Sequence, residues 1–309
     1  MVRLFLFDLE SPQMITRAVD RFLAGQRWLD RLGGWLQKVI AAIYGGLGPP
    51  GRALKDLLNG TWLGHQLHPV ITDVPVGAWT LGVVFDIAYL ATHRAAAAAD
   101  WTILIGLIAA FGAVITGYTE FVDTADRELR YGIAHGLLNT VVVVLYLISV
   151  ILRFTGTARG LAIGLAFIGY LVLTVAAFLG GELVANIGYG VNHHAFQSPP
   201  TDWTPALMDT QLAEAKLTRA QVEGVPILLY RRGPTILAIS ETCSHAGGPL
   251  SEGKVEAGRV ICPWHASRYD LITGQVKGGP ATINAVLYDV RVENGRIEVK
   301  RSAETLQQT

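Results

Sequence analysis

Residues 243–250 read CSHAGGPL and residues 262–265 read CPWH. Cys243 and Cys262 are the only cysteines in 309 residues, and each has a histidine close behind it. The pattern is Cys-x-His, then residues 246–261, then Cys-x-x-His. Thiolate and imidazole are the ligands of zinc or of an iron–sulfur centre. Two such tight pairs, each set among glycine and proline, are a poor fit to chance or to plain packing. Cys243, His245, Cys262 and His265 are therefore read as metal ligands. Two cysteines and two histidines also make a sound tetrahedral zinc set, so the ligand types alone leave both metals open.

The rest of the chain is apolar. Hydrophobic residues make up 51% and charged residues 16%, and mean hydropathy is +0.37. Such a composition points to a membrane protein with a soluble part. The formal net charge is zero, which suggests no nucleic-acid partner. Two cysteines allow at most one disulfide, so a secreted disulfide scaffold is excluded. The start, MVRLFLFDLESPQM, has no basic segment followed by a sustained apolar run and a small-residue cleavage site, so no signal peptide is expected.

Four apolar stretches, 74–91, 101–118, 133–152 and 160–180, each approach the length a helix needs to cross a bilayer. Short polar connectors join them, predicting four transmembrane helices running up and down. Before them, residues 11–46 place Ile15, Val19, Phe22, Leu29, Leu32, Leu36 and Val39 at helical spacing, with Arg17, Arg21, Arg27, Arg31 and Lys38 among them. This segment suits either a membrane interface or a helix packed on protein. The LGPPG at 47–51 ends it. After the fourth span, SPPTDWTPAL is a linker, followed by short β-type runs and an ENGR hairpin turn. The predicted architecture is an amphipathic segment at 1–59, a four-helix transmembrane bundle at 60–196 and a small all-β domain at 197–309.

CSHAGGPLSEG and CPWHASRYDLITGQV…GGPAT resemble the two cluster-binding loops of Rieske iron–sulfur proteins. The resemblance covers the C-terminal domain and implies a [2Fe–2S] cluster at the tips of two β-loops. It assigns Cys243 and Cys262 to the inner iron, and His245 and His265 to an outer iron near the surface. The extra cysteine pair of the respiratory type is missing: Gly248 or its neighbours and Trp264 fill those places, as in the ferredoxin-like branch. HASRYD nevertheless matches the respiratory pattern, which implies a hydrogen bond from Ser267 to a bridging sulfide and one from Tyr269 to a cysteine sulfur. Tyr269 could also be an ordinary strand aromatic. Gly279 and Pro280 match the proline loop that covers the cluster.

HPVITDVPVG at 68–77, with GHQLHP before it and AHGLLN later, makes residues 60–190 similar to a four-helix membrane family of unknown function, the DUF2231 type. Some members of that family carry a C-terminal Rieske domain, so the match implies architecture rather than activity. Helix parity places His65, His68, Asp73, Glu120, Asp123, His135, Asn139, Glu182, Asn186, His193 and His194 at the end where the β-domain emerges. His68 and His135 are expected to face each other inside the bundle, with Glu120 orienting one of them. Such a pair could take a haem or a quinone head group; helix capping and structural hydrogen bonding are the plainer alternatives. Asp86 lies inside the first span, where a carboxylate is a functional suspect or the partner of a neighbouring helix.

The expected function is single-electron transfer by a membrane-tethered Rieske protein between a redox partner (a reductase, a quinol or a haem protein) and an acceptor. A non-enzymatic redox sensor and a ferredoxin-like component of an oxygenase system are the alternatives. The chain is expected to be one component of an oxidoreductase rather than a complete enzyme. Its expected place is a bacterial cell membrane, as a multi-pass protein in contact with the lipid bilayer and with the Rieske domain on the cytoplasmic side.

Overall fold

The structure, a computed structural model, describes residues 14–303. The signal-peptide expectation rests on a start whose residues 1–13 lie outside the described part. The chain divides into two compact units: residues up to Gly46 with Pro69–Ile187, and Leu47–His68 with the chain from Gly188 onward. Among the described residues there are seven helices and ten strands.

The first unit is helical. Helices α4 (Leu67–Thr92), α5 (Ala96–Phe121), α6 (Asp126–Thr155) and α7 (Arg159–Ala185) are each long and apolar enough to cross a membrane. They extend the predicted spans at both ends, because polar residues such as Asp126 and Glu128 sit in the first helical turn of α6, where their charge suits the helix dipole. Glycines let the bundle close tightly. A Cβ on Gly106 would come within 2.5 Å of the Trp79 ring, and Trp79 in turn stacks on Tyr146 at 4.0 Å between ring centroids.

Helices α1 (Met14–Ala24) and α2 (Arg27–Gly46) pack on this bundle. Leu23 and Leu29 are buried beside Phe121, Tyr131 and Leu179, with Val19, Leu32 and Leu36 against them. Arg127 pairs with Asp20, and Arg130 with Asp30. Gln37 donates to the carbonyls of Phe121 and Thr124 at the α5–α6 turn. The stripe read from the sequence thus divides. Val19, Leu29, Leu32 and Leu36 face protein, whereas Ile15, Phe22 and Val39 join Trp28, Trp35 and Ile43 on an exposed row. One face satisfies the packing reading, and the other has the residue types of an interfacial helix.

Asp86 is fully buried, and its partner is a neighbouring helix. Arg153 of α6 reaches it with two hydrogen bonds, one of 2.9 Å, and also contacts Asp100 of α5 at 3.0 Å. Arg159 of α7 completes the group on Asp100 and lies over the Tyr89 ring at 4.5 Å. Each of the four long helices contributes one charge and the group is neutral, which is what an apolar setting demands.

The second unit is built on two antiparallel sheets. Strands β1 (Thr204–Met208), β2 (Leu217–Val222), β3 (Val225–Arg232), β4 (Thr235–Ser240), β9 (Leu287–Glu293) and β10 (Arg296–Arg301) form one sheet in the order β1-β10-β9-β4-β3-β2. The other has β5 (Lys254–Glu256), β6 (Arg259–Ile261), β7 (Arg268–Asp270) and β8 (Val276–Gly278) in sequence order. The first encloses an aliphatic core of Ile227, Leu229, Ile297 and Val299. The second shares a core with Cys243 and Cys262 themselves. Helix α3 (Gly48–Leu58) and the turn after it belong to this unit. The sequence reading divides that stretch between the amphipathic segment and the membrane domain.

Replacing Asp86 alone should destabilise the helical unit by about 3–5 kcal/mol, because Arg153 would keep a buried charge with half its partners. Asp86→Leu combined with Arg153→Leu should recover most of that loss, since Asp100 and Arg159 still pair. Thermal unfolding in detergent reads both variants.

Candidate metal centre

The four sequence-predicted ligands come together at the tips of two loops that share one hydrogen-bonding frame. Between β4 and β5, the Cys243 amide donates to the Gly248 carbonyl at 2.8 Å, and the Gly247 amide returns to Cys243 O at 2.9 Å. Between β6 and β7, the Cys262 amide donates to Ser267 O at 2.8 Å, and Ala266 N returns to Cys262 O at 3.1 Å. In both loops the residue four after the cysteine has positive φ, +77° at Gly247 and +60° at Ala266. Glycine takes that conformation freely; alanine takes it under strain. The two loops therefore present a cysteine and a histidine each in closely similar settings.

Cys243 and Cys262 are buried, and their sulfurs are hydrogen-bonded to each other. A Cβ on Gly248 would stand 2.9 Å from Cys262 Sγ, so only glycine leaves room at that wall. The contact with Cys262 brings the Cys243 thiol down to about 6, helped by Tyr269, the His245 amide and Ser267. The same contact, together with burial, pushes the Cys262 thiol up. A metal needs both as thiolates.

The imidazoles of His245 and His265 lie 5.0 Å apart, centroid to centroid. Both nitrogens of His245 and Nδ1 of His265 are buried with no hydrogen-bond partner. Burial brings His245 down to about 3, with His265, Lys55 and His193 adding to the effect, and burial also lowers His265. Both rings are then neutral at physiological pH, the form that coordinates a metal. Buried nitrogens without partners are rare and call for an explanation; metal ligation supplies one. Among the described residues no three His, Cys, Asp or Glu side chains converge on one ion position. A tetrahedral zinc would need such convergence, whereas a binuclear cluster takes two ligands at each iron. The donor set and geometry fit a [2Fe–2S] group.

Around the ligands, Tyr269 is fully buried and its hydroxyl lies 3.2 Å from Cys243 Sγ. The Ser244 amide donates to that hydroxyl at 3.1 Å, so the phenol proton is directed at either the Cys243 sulfur or Ser244 Oγ. Ser244 Oγ contacts it as well, at 2.9 Å, and donates to Ile283 O at 2.7 Å. Ser267 is fully buried; its Oγ accepts from the Ala281 amide at 3.2 Å and reaches the Cys243 sulfur. Pro280 is buried in the loop after β8.

One expectation needs correction. The histidines were expected near the surface, but His245 is only 4% exposed, and His265 alone is partly exposed. The reason is the stretch after Gly188, which belongs to the same unit. The Tyr189 ring sits 5.8 Å from that of His245, edge to face. His194 Nε2 is 2.7 Å from the Thr242 carbonyl, just ahead of Cys243, and His193 lies close to Gly247. These residues, with Ser244, were not read from the sequence as neighbours of the centre. The adjacent histidines were visible as a motif, but nothing local in the chain aims them at residues some fifty positions on.

The two membrane histidines lie on separate long helices. His68 lies in the first turn of α4 and falls in the second unit, while His135 of α6 falls in the first. His135 Nδ1 contacts Ala176 O at 2.8 Å, and Nε2 contacts Asn139 Nδ2 at 3.1 Å. Both ring nitrogens thus have partners within the helical unit.

Comparison with known proteins agrees with this reading. A family profile described as "Rieske [2Fe-2S] domain" matches residues 202–292, and one described as "Predicted membrane protein (DUF2231)" matches 64–193. The ferredoxin component of the naphthalene 1,2-dioxygenase system of Pseudomonas putida is 31% identical over 100 residues, 32% of this chain and 96% of that protein. The anthranilate 1,2-dioxygenase ferredoxin subunit of Burkholderia cepacia is 34% identical over 98 residues, 32% of this chain and 91% of that protein. Among solved structures, the ferredoxin of carbazole 1,9a-dioxygenase from Nocardioides aromaticivorans IC177 matches at 30% identity and a TM-score of 0.31, over 33% of this chain and all of that one. Ligand geometry and near-complete coverage of the ferredoxin relatives place this chain in the Rieske [2Fe-2S] family, its iron–sulfur domain following a DUF2231 predicted membrane domain.

Proposed function

We propose that the chain is a membrane-anchored electron carrier that exchanges single electrons with a redox protein partner through its Rieske domain. The observation that carries this reading is the convergence of Cys243, Cys262, His245 and His265 with a tyrosine hydroxyl on a ligand sulfur. A [2Fe–2S] cluster held by those four side chains supplies one-electron exchange at a potential raised by its two neutral imidazoles. The protein does the rest. Cys243 and Cys262 provide the negative charge. Tyr269 and Ser267 donate toward Cys243 and so favour the more negative, reduced state. Pro280 and the loop around it keep water out, and the half-exposed edge at His265 and Trp264 gives a partner access.

The names of the relatives favour one class of partner. Two of them are ferredoxin parts of dioxygenase systems, so a reductase on the donor side and an oxygenase on the acceptor side are the first partners to try. We further propose a cytoplasmic Rieske domain. Helices α1 and α2 bring Arg17, Arg21, Arg27, Arg31 and Lys38 to the α5–α6 end of the bundle. By parity α7 ends there too. The opposite side offers Arg94, Arg153 and Arg159, so positive charge favours the α5–α6 end as the inner one.

Inverted membrane vesicles test location and chemistry together. They should contain two irons and two labile sulfides per chain, and dithionite added outside should bleach the visible absorbance at once. Right-side-out vesicles should bleach only after detergent is added. Prompt bleaching of the right-side-out vesicles alone would reverse the orientation, and absence of bleaching in both would refute the carrier. Within the site, Tyr269→Phe and Ser267→Ala should each lower the reduction potential. A hydrogen bond to a charged group is worth about 1.5–3 kcal/mol and only its difference between redox states counts, so the expected shift is on the order of a few tens of millivolts. Redox titration reads it, and unchanged potentials in both variants would remove these residues from cluster tuning.

A further inference from the structure

The loop after β8 is held from outside the Rieske module. Gly278 and Gly279 both have positive φ, +138° and +88°. A Cβ at Gly279 would stand 2.7 Å from Ala266 O and from Ser267 Cα, so this glycine lets the loop lie directly on the second ligand loop. Its peptide amide donates to Asp56 Oδ1 at 2.8 Å, and its carbonyl accepts from Thr61 Oγ1 at 3.3 Å. Both polar groups of one residue are thus met by side chains from α3 and the turn behind it. The other carboxylate oxygen, Oδ2, lies against Gly278, and the Arg268 guanidinium lies close to the same glycine.

Residues 56 and 61 precede both matched families, which begin at 64 and 202. A carboxylate pressed against backbone is not a neutral choice for a surface helix. Burial works against its charge, and the Gly279 amide, with the Arg268, Lys55 and Arg52 cations, works for it. The turn is also tightly built: Asn59 is buried, and a Cβ on Gly60 would come within 2.3 Å of His65 O. Helix α3 is therefore fixed at its C-terminal end, where it meets the loop.

We infer that Asp56 is a positioning residue for the cluster: through the Gly279 amide it clamps the proline loop over the ligand loops and keeps solvent from the site. This rests on the cluster proposed above, but the clamp itself is a property of the polypeptide and can be read without iron.

The experiment uses the full chain in detergent, in cluster-bound and metal-free forms, and follows hydrogen exchange at the Gly279 amide together with the reduction potential. Asp56→Ala should speed exchange at Gly279 about tenfold or more, the loss expected for one charge-assisted bond. Asp56→Asn keeps an acceptor and should stay near the parental rate. Both substitutions remove a negative charge and so raise the potential. Only Asp56→Ala also admits water, which favours the more negative reduced state, so its potential should lie above that of Asp56→Asn. Should Asp56→Ala fail to fold, Thr61→Val should still speed exchange across the loop while Asp56→Asn does not. Parental exchange at Gly279 in Asp56→Ala, or equal potentials in the two Asp56 variants, would overturn the inference. Altered exchange in a chain that binds no iron would uphold the clamp and refute the electron carrier.

Discussion

The meeting of Cys243 and Cys262 beneath the Tyr269 hydroxyl is the contact on which the smaller sheet depends. Strands β5 to β8 are three residues each, too short to hold a sheet without packing beneath them. Their core is completed by the two cysteines, Leu250, Val260, Leu271 and Tyr269. Without a group to bind those sulfurs, the sheet would keep two buried cysteines in contact and two imidazoles with unsatisfied nitrogens. Metal binding therefore adds to the stability of this half. The larger sheet has its own aliphatic core, and the first ligand loop leaves it at the end of β4.

The helical unit solves a different problem by related means. Asp86, Asp100, Arg153 and Arg159, one from each long helix, gather so that each of these charges has an opposite within hydrogen-bond reach. In both units the costly groups are buried because they have specific partners, and those partners fix the geometry. Asp86 is accounted for as part of this neutral group rather than as a lone carboxylate awaiting a substrate.

How far the sequence could be read depends on how far apart the interacting residues lie. The apolar spans are continuous runs, so their number and order were visible, while their ends moved outward because polar first turns hide helix starts. The ligands fall in two local pairs, and the family resemblance carried by HASRYD implies Tyr269 beside a cysteine sulfur, where it stands at 3.2 Å. Asp86 meets Arg153, 67 positions away, and Asp56 meets Gly279, 223 positions away; no local pattern records either contact. The same limit explains Tyr189 over His245. It also explains the divided stripe of α1 and α2: helical spacing gathers Leu29 and Phe22 as apolar, but only packing decides which of them faces the bundle.

The claim that two imidazoles on one iron and two thiolates on the other define this centre can be put to a single spectroscopic measurement. The purified chain, grown with nitrogen-15 histidine and reduced with dithionite, would be examined by electron paramagnetic resonance with nuclear hyperfine detection. The account predicts a paramagnetic reduced cluster with couplings to two histidine nitrogens, one of which disappears when His245 or His265 is replaced. A diamagnetic protein holding one zinc per chain, or a reduced cluster with no histidine coupling, would contradict it.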